Sequence, residues 1–580
     1  MTHMTRVVRT LVLFTVVAFL LATTDLGQAA TTKWTVDGYK ILLNGQLFFA
    51  KGVAYYPLPI GNVAGKTPYG DYFYNFPGED SVWGLYLDRD LPLMRAAGVN
   101  LIRLYSMWAW AHADFTVSPL NADKTRTLSH QGFLDQAYNN GSHPMYVLVN
   151  VFIESGRWSD PVYQAQIEDV YRQLATEMKD HPAVMGFMVG NELNAETTRN
   201  NPQFWLWIDH LASIVKEIAP DKLTTIALVD DGFVSIDGAN DHAPRVAGKV
   251  LPHLDVWGLN NYRGNMNSGF TPEFWSGYQG KTTKPLLFTE WGAPASKHDP
   301  DTKYGEGGIP SELPDQAADQ ATYIRNHYND QVDHSTIHDG VSSGGALFMW
   351  ADQWDKQECP TCSASKHDGS DGAGGFPGKW WDEEWFGIHS LVKDPSRPLD
   401  ENWNQNAGRP WPADTLVPRK AYAVIKDLFT KPDPEVRVTT RAATAIAREP
   451  GGLGARVTQA TTSDEIQISI SLLANHFEGL MANWYVGVVV YPDPSAETGS
   501  VYYLGDVDGT WQWRAATRPF DLPSAPTHIG PIQQVARIEI HSGPVAPGYY
   551  VLFLALAVDH GDGNGVEVHV DSAEVHVVGD

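Results

Sequence analysis

"GFMVGNELN", residues 186–194, reads as a short apolar strand that ends in a glycine, an asparagine and a glutamate. Phe187, Met188 and Val189 favour burial, whereas Asn191 and Glu192 are polar and follow at the strand end. A carboxylate in such a place can simply cap the next helix. The stretch therefore indicates a function only if a second carboxyl group occupies a matching position elsewhere in the chain.

The same pattern of an apolar run, a polar break and a longer segment with helical spacing repeats from residue 46 onward. The runs that predict strands are residues 47–56, 99–106, 145–153, 184–193, 223–231, 255–262, 285–292 and 344–354. Segments with helical spacing include 86–98, 161–181, 202–219 and 315–332. Eight alternating units predict an α/β fold, a closed (β/α)₈ TIM barrel within residues 30–430. An open doubly wound sheet is the alternative, although no glycine-rich dinucleotide motif follows the first strand.

A proline-punctuated segment, "KPDPEV" at 431–436, marks the predicted end of the barrel domain. Beyond it, short runs with alternating apolar residues replace the helical spacing, at 465–473, 484–492, 535–541, 549–558 and 566–578. This alternation predicts an antiparallel β-sandwich module over residues 436–580.

The N-terminal residues 1–29 have the order of a secretory signal: Arg6 and Arg9, an apolar run at 11–22, and small residues up to Ala29. A membrane anchor is the alternative, but about a dozen apolar residues are few for a span. We expect a secreted protein, extracellular or periplasmic, that leaves the membrane after cleavage and is a monomer. The formal net charge of −26 disfavours nucleic acid as a partner, because such a surface repels phosphates.

Cys359 and Cys362, in "CPTC", are the two cysteines of the chain. In an oxidising compartment a disulfide between them is the leading interpretation. A thioredoxin-like redox motif and a zinc site are the alternatives, and the flanking sequence supports neither. We expect no metal and no cofactor.

A second glutamate matches Glu192. Glu290, in "LLFTEWGAP" at 286–294, ends the predicted seventh strand, and Glu192 ends the fourth. The carboxyl ends of barrel strands converge on one mouth, so both side chains are expected in the same cleft. Two carboxyl groups across a sugar-sized gap are what glycoside cleavage requires: about 5–5.5 Å apart for retention and about 6.5–9.5 Å for inversion. Either glutamate alone could be a cap or an ion-pair partner, and Glu154 after the third strand is the rival to Glu192.

"GNELN" together with "FTEWG" resembles the catalytic pair of the large retaining clan of (β/α)₈ glycoside hydrolases. Within that clan, segments such as "HPAVMGFMVGNELN" and "DVWGLNNYRG" resemble the β-1,3-glucanosyltransferases of fungal cell walls. The resemblance covers roughly residues 40–395. The chain departs from that pattern in its low cysteine content, its C-terminal module and Asn150, which stands where an acidic residue is expected.

The resemblance implies Glu192 as acid/base and Glu290 as nucleophile. Asn191 would bond the sugar 2-hydroxyl, Tyr262 would orient Glu290, and Arg103 would help to keep Glu290 ionised. The predicted aromatic walls of the sugar cleft are Tyr55, Tyr105, Trp291 and Trp350.

The sequence thus predicts a secreted retaining β-glycoside hydrolase or transglycosylase. It would act on a β-glucan-type polysaccharide or oligosaccharide by double displacement. The alternatives are an endo-β-mannanase or β-1,4-glucanase of the same clan, or a non-catalytic carbohydrate-binding protein on a relic barrel.

Overall fold

The computed structural model describes most of the region between residues 32 and 430 and the strands that follow it. The described ranges are 32–61, 73, 84–108, 129–264, 266, 268–297, 311–312, 314–356, 366–367, 376, 381–396, 412–430, 433–439, 444–447, 458–461, 466–473, 481–491, 500–507, 510–515, 528–531, 535–543, 547–559 and 566–578. The predicted signal segment and the predicted disulfide of Cys359 and Cys362 lie outside the described residues. Among the described helices, none has the length and apolar character needed to span a bilayer.

Eight parallel strands close into a barrel, which confirms the predicted TIM barrel. Each strand pairs with its neighbours along the chain, and the eighth pairs with the first. The first to eighth barrel strands are Ala50–Ala54, Leu101–Arg103, Tyr146–Asn150, Val184–Asn191, Leu223–Val229, Val256–Asn260, Leu286–Trp291 and Ser342–Leu347. All eight lie within or overlap the predicted runs, because strands buried on both faces read as continuous apolar sequence.

Helices surround the barrel between these strands and after the last of them. They are α1 Gly84–Ala96, α2 Gln131–Tyr138, α3 Pro161–Met178, α4 Glu196–Arg199, α5 Pro202–Ile218, α6 Val234–His242, α7 Pro272–Gln279, α8 Pro314–Asp333 and α9 Lys420–Thr430. The starts of α3 and α5 follow from local chemistry. Asp160 caps α3 by accepting a hydrogen bond from the backbone of Val162 at 2.9 Å, and Asn201 caps α5 in the same way.

An N-terminal three-stranded sheet covers the end of the barrel at which the strands begin. Its strands are Trp34–Asp37, Lys40–Leu43 and Gln46–Leu47. Trp34 packs edge-on against Phe48 and Tyr146, each at 4.9 Å between ring centroids. This packing fills the floor with apolar side chains, so among the described residues we look for a ligand site at the opposite end, where the strands terminate.

The remaining short strands form two-stranded sheets beside the barrel, at Arg245–Val246 with Lys249–Val250, Ser296–Lys297 with Ser311–Glu312, and His389–Val392 with Thr415–Pro418. The last of these sheets belongs to the segment that follows the eighth barrel strand. That segment also contributes side chains to the mouth.

The described residues of the C-terminal region form two sheets, which confirms the predicted β-sandwich class. One has the order Thr444–Ala447, Asp433–Thr439, Ile466–Leu473, Val535–Gly543. The other has the order Thr458–Thr461, Val566–Val578, Gly548–Asp559, Met481–Tyr491, Ser500–Val507, Thr510–Ala515, with His528–Pro531 paired to Met481–Tyr491. One pairing, Thr458–Thr461 with Val566–Val578, is parallel. The strand Asp433–Thr439, which comes first along the chain in this region, already occupies most of the predicted linker at 431–436.

Candidate active site

Glu192 follows the last residue of the fourth barrel strand, at the open end of the barrel. Its backbone has a φ of 54°, which is uncommon for a residue with a side chain. Its N–H donates to the carbonyl of Ala227 on the fifth strand at 2.8 Å, which fixes the turn. The side chain is exposed at the mouth, so a ligand can reach the carboxyl group.

Glu290 lies in the seventh strand and is 6% exposed. One carboxylate oxygen is 2.9 Å from Nη2 of Arg103, and the other accepts a 2.5 Å hydrogen bond from the hydroxyl of Tyr262. Arg103 is fully buried at the end of the second strand. A guanidinium and a hydroxyl donor at these distances favour the ionised carboxylate and hold it in one orientation.

Asn191 and Asn260 connect the two carboxyl groups. Asn191 Oδ1 accepts hydrogen bonds from Arg103 and, at 3.2 Å, from the amide of Asn260. The same amide donates to Glu192 Oε1 at 2.9 Å. Glu290 therefore reaches Glu192 through Arg103, Asn191 and Asn260, three side chains from three different barrel strands.

Asn260 was missed by the sequence analysis. It ends the sixth strand in "GLNNY", two residues before Tyr262. Its side-chain oxygen, Oδ1, accepts a hydrogen bond from the hydroxyl of Thr289 at 2.7 Å. The hydrogens of its side-chain amide therefore point toward Glu192 and Asn191. The polar pair at the end of an apolar run was the available signal.

The environment raises the pKa of Glu192 to about 7. Burial within the mouth is the first cause and the charge of Glu290 the second, while the hydrogen bond from Asn260 acts in the opposite direction. Because the side chain also has an exposed face, water reduces the effect of burial on this pKa. The like charge of Glu290 raises the pKa, as burial does. A carboxyl group in this range holds a proton near neutral pH.

The pKa of Tyr262 is raised well above its ordinary value by burial and by the charge of Glu290. The phenol therefore keeps its proton and remains a donor to that carboxylate. The pKa of Tyr105 is raised by burial as well, and the guanidinium of Arg103 lies 3.6 Å from the centroid of its ring. The ring of Tyr105 thus forms a cation–π contact with the buried guanidinium.

Four rings form the aromatic wall of the mouth: Tyr105, Tyr262, Phe348 and Trp381. Phe348, directly after the eighth strand, lies between two of them, with its centroid 6.3 Å from that of Tyr105 and 6.0 Å from that of Tyr262. Trp381 packs on Tyr262 at 4.8 Å. Phe348 and Trp381 were not assigned to the cleft from sequence, whereas Tyr105 was.

The structure places the other three predicted wall residues elsewhere. Tyr55, Trp291 and Trp350 are buried in the large core cluster, whereas Phe348, also buried, packs in the separate cluster that includes Tyr105 and Tyr262. Neighbouring residues of a strand point to opposite sides, so Trp291 points away from the mouth when Glu290 points into it. Tyr55 and Trp350 lie beyond the ends of their strands, and both pack in the outer hydrophobic core.

Specific contacts fix these two rings outside the cleft. The hydroxyl of Tyr55 donates to the buried carboxylate of Asp90 at 2.8 Å. Trp350 packs against His389 at 4.4 Å and against Tyr422 at 6.0 Å. The assignment of Tyr55, Trp291 and Trp350 to the cleft is corrected accordingly.

Two other acidic residues have partners of their own. Glu154, the sequence rival to Glu192, has a side chain that is 58% exposed and lies 3.9 Å from Arg157. Asp352 is fully buried and forms a bidentate ion pair with Arg419 at 2.6 and 2.7 Å. Neither takes part in the network that joins Glu192 to Glu290.

The fold and these side chains define a class of molecule. It is a (β/α)₈ barrel with two carboxyl groups at the carboxyl ends of its fourth and seventh strands, one ion-paired and buried, the other exposed and able to hold a proton near pH 7.

No family model and no curated protein matches the chain. Solved structures with similarity to it include a β-glucuronidase from Bacteroides uniformis, with 13% identity and a TM-score of 0.41 over 95% of this chain and 48% of that one. A GH2 β-galacturonidase from Eisenbergiella tayi has 16% identity and a TM-score of 0.39 over 68% and 53% of the two chains. A β-glucuronidase from Bifidobacterium dentium has 13% identity and a TM-score of 0.38 over 68% and 49%. The chain spans about half the length of these structures, and they identify no family for it.

Proposed function

We propose that this protein is a retaining β-glycoside hydrolase or transglycosylase that acts on a neutral β-glucan-type polysaccharide. The observation that carries the proposal is the difference between the two carboxyl groups. Glu290 is held as a carboxylate by Arg103 and Tyr262, while Glu192 is exposed with a raised pKa. Such a separation of roles is what acid-assisted displacement at an anomeric carbon requires.

In the first step, a Glu290 oxygen attacks the anomeric carbon while Glu192 gives its proton to the departing glycosidic oxygen. The C–O bond to the leaving group breaks as the glycosyl-enzyme ester forms. In the second step, the ionised Glu192 takes a proton from water or from an acceptor hydroxyl, whose oxygen displaces Glu290. Water gives hydrolysis, and a sugar hydroxyl gives transfer.

The charges around the mouth favour an uncharged substrate. Arg103 is paired with Glu290, Arg263 with Asp230, and Lys356 with Glu383 at 3.1 Å. A sugar carboxylate would have to compete with one of these partners for its cation. The formal net charge of −26 opposes an anionic polymer as well.

Trapping tests the covalent step. A 2-deoxy-2-fluoro-β-glucoside with a good leaving group should inactivate the protein, and peptide mapping should place the label on Glu290. The variant Glu290→Gln serves as the matched control and should take up no label. An unlabelled, fully folded wild type would exclude the mechanism and favour a non-catalytic sugar-binding protein.

Product analysis tests the substrate class. We expect products from laminarin-type oligomers with retained anomeric configuration by NMR; shorter chains would show hydrolysis and longer chains transfer. Preferential cleavage of mannan-type or β-1,4-glucan oligomers would instead select the other activities of the same clan. Release into the medium, with a new N-terminus after Ala29, would test the proposed secretion.

A further inference from the structure

An ion pair at the mouth has no role in the steps above. Lys356 Nζ lies 3.1 Å from Glu383 Oε2, and the two side chains are 32% and 16% exposed. Both residues belong to the segment after the eighth barrel strand, and Glu383 begins a single 3₁₀ turn, Glu383–Trp385. The pair is therefore partly shielded from bulk solvent but still accessible.

Contacts on both sides attach this pair to the aromatic wall. Lys356 Nζ is 6.0 Å from the ring centroid of Phe348. On the other side, Trp381 Nε1 donates to Glu383 Oε1 at 3.3 Å while its ring packs on Tyr262. Since Tyr262 holds Glu290, the pair lies on the nucleophile's side of the mouth.

Electrostatic coupling agrees with this position. Burial would lower the pKa of Lys356, but the charges of Glu383, Asp355 and Glu290 outweigh it and raise the pKa above its ordinary value. The charge of Glu383 also contributes to the raised pKa of Glu192. Lys356 thus interacts electrostatically with Glu290, and Glu383 with Glu192.

A purely structural interpretation explains the pair less well. Isolated ion pairs near the surface contribute about 0–1 kcal/mol, and partly burying two charges has a desolvation cost. Here the two charges lie beside the buried ring of Phe348 and the half-buried ring of Trp381, next to Tyr262 and the carboxylate of Glu290. Ammonium and carboxylate groups in such places are strong donors and acceptors for hydroxyl groups.

We propose that Lys356 and Glu383 bind two neighbouring hydroxyl groups of the sugar whose anomeric carbon is attacked by Glu290. The ammonium donates to one hydroxyl oxygen, and the carboxylate accepts from the other hydroxyl. Adjacent hydroxyl groups of a pyranose are spaced to bridge two such groups. This inference rests on the proposed function and adds that the pair selects a neutral sugar by its hydroxyl pattern.

The test uses aryl β-glucosides in which one hydroxyl group, at C3, C4 or C6, is removed, and others in which the hydroxyl group at C3 or C4 is inverted. The wild type should cleave the parent glucoside about 100-fold faster, by kcat/KM, than the analogues altered at the recognised positions, because each altered analogue leaves a charged hydrogen-bonding partner unpaired. In Lys356→Met and Glu383→Gln, the activity on the parent glucoside should fall. The ratio of kcat/KM on the parent to kcat/KM on the altered analogues should drop to about tenfold or less. Lys356→Arg, which keeps a cationic donor, should keep most of the selectivity.

A matched control is Lys281→Met, which removes a similar ion pair with Asp237 at 2.6 Å in the helical layer. It should leave the ratio unchanged, and thermal unfolding should show that each variant is folded. The inference is overturned if folded Lys356→Met and Glu383→Gln keep the wild-type ratio, or if the wild type prefers aryl glucuronides to glucosides. Failure of the wild type to cleave any glycoside would instead overturn the proposed function itself.

Discussion

Arg103 Nη2 lies 2.9 Å from Glu290 Oε1, and both side chains are almost completely buried. The arginine ends the second barrel strand and the glutamate lies in the seventh. A buried carboxylate is stable only with such a partner, because an unpaired buried charge loses its hydration without compensation. The pair therefore gives Glu290 a fixed cationic partner, which its proposed role as the nucleophile requires.

Replacing Arg103 by Met should lower kcat by about 10²–10³-fold, the range for loss of one fixed electrostatic contact in an active site. Glu290 would lose the cation that lies 2.9 Å from its carboxylate and holds it in place. The measurement is steady-state kinetics on an aryl β-glucoside, with circular dichroism to verify folding. Arg157→Met is the control, since Arg157 pairs with the half-exposed Asp160 at 3.3 Å and should contribute little. Equal kinetics in the two variants would contradict the role of Arg103.

The raised pKa of Glu192 predicts a pH dependence. Glu192 must be protonated to act as the acid, and its pKa of about 7 means that the proton is present below that pH and lost above it. The basic limb of kcat/KM should therefore fall about tenfold per pH unit above pH 7. A profile that stays flat up to pH 9 would exclude Glu192 as the acid.

A substitution of Glu192 should separate proton donation from bond cleavage. Glu192→Ala should lose about 10²–10⁴-fold with a poor leaving group such as a sugar, yet retain much of its first-step rate with 2,4-dinitrophenol, which needs no proton. The basic limb should disappear as well. Equal losses with both leaving groups would assign the acid to another residue, with Glu154 the first to test by Glu154→Ala.

Asn260→Ala should move the basic limb of the pH profile upward. Its amide bonds to Glu192 and favours the charged form, so removing it raises the pKa of that carboxyl group further. We expect kcat to fall about tenfold as well, because Glu192 and Asn191 lose a shared donor. Asn240→Ala, which removes a 2.9 Å hydrogen bond to the carbonyl of Lys281, is the control and should leave the pH profile unchanged.

Two aromatic residues near the end of the eighth strand should behave differently. Phe348→Leu should lower kcat/KM about tenfold, since Phe348 lies in the aromatic wall beside Tyr262 and Tyr105. Trp350→Phe should lower the free energy of unfolding with kcat/KM almost unchanged, because Trp350 packs in the outer core. Kinetics and urea unfolding on both variants distinguish the two outcomes, and the reverse pattern would place Trp350 in the cleft after all.

Arg419→Met should lower the free energy of unfolding by about 3–5 kcal/mol, since it leaves the buried carboxylate of Asp352 without its cation. The double variant with Asp352→Asn should recover part of that loss. The comparison variant Lys33→Met removes an exposed pair with Asp221 at 3.8 Å and should change the free energy of unfolding by less than about 1 kcal/mol. Denaturant midpoints and slopes give all three values, and equal midpoints for the arginine and lysine variants would contradict the prediction.

Much of the fold could be predicted from the sequence because the relevant signals are local. Burial on both faces makes barrel strands continuous apolar runs, and helix spacing marks the layer around them. Predicted and observed ends agree within a few residues for α3, 161–181 against Pro161–Met178, and for α5, 202–219 against Pro202–Ile218. In the sandwich, the strands Ser500–Val507 and Thr510–Ala515 were among those missed. In the second of them Trp511 and Trp513 alternate with Gln512 and Arg514, so a period-two signal was present and was not used.

The sequence by itself determined the barrel and the position of two glutamates at ends of its strands, since strand order alone brings residues 192 and 290 to one mouth. Only the tertiary structure decided what surrounds them. Asn260 is recognised by its contacts with Glu192, and Phe348 rather than Trp350 faces the site. The physical reason is that the alternation of strand side chains stops where a strand ends, and beyond that point packing with distant segments sets the direction of each side chain. Lys356 and Glu383 are of this kind: they are distant in the sequence, and only the tertiary structure brings them together in an ion pair.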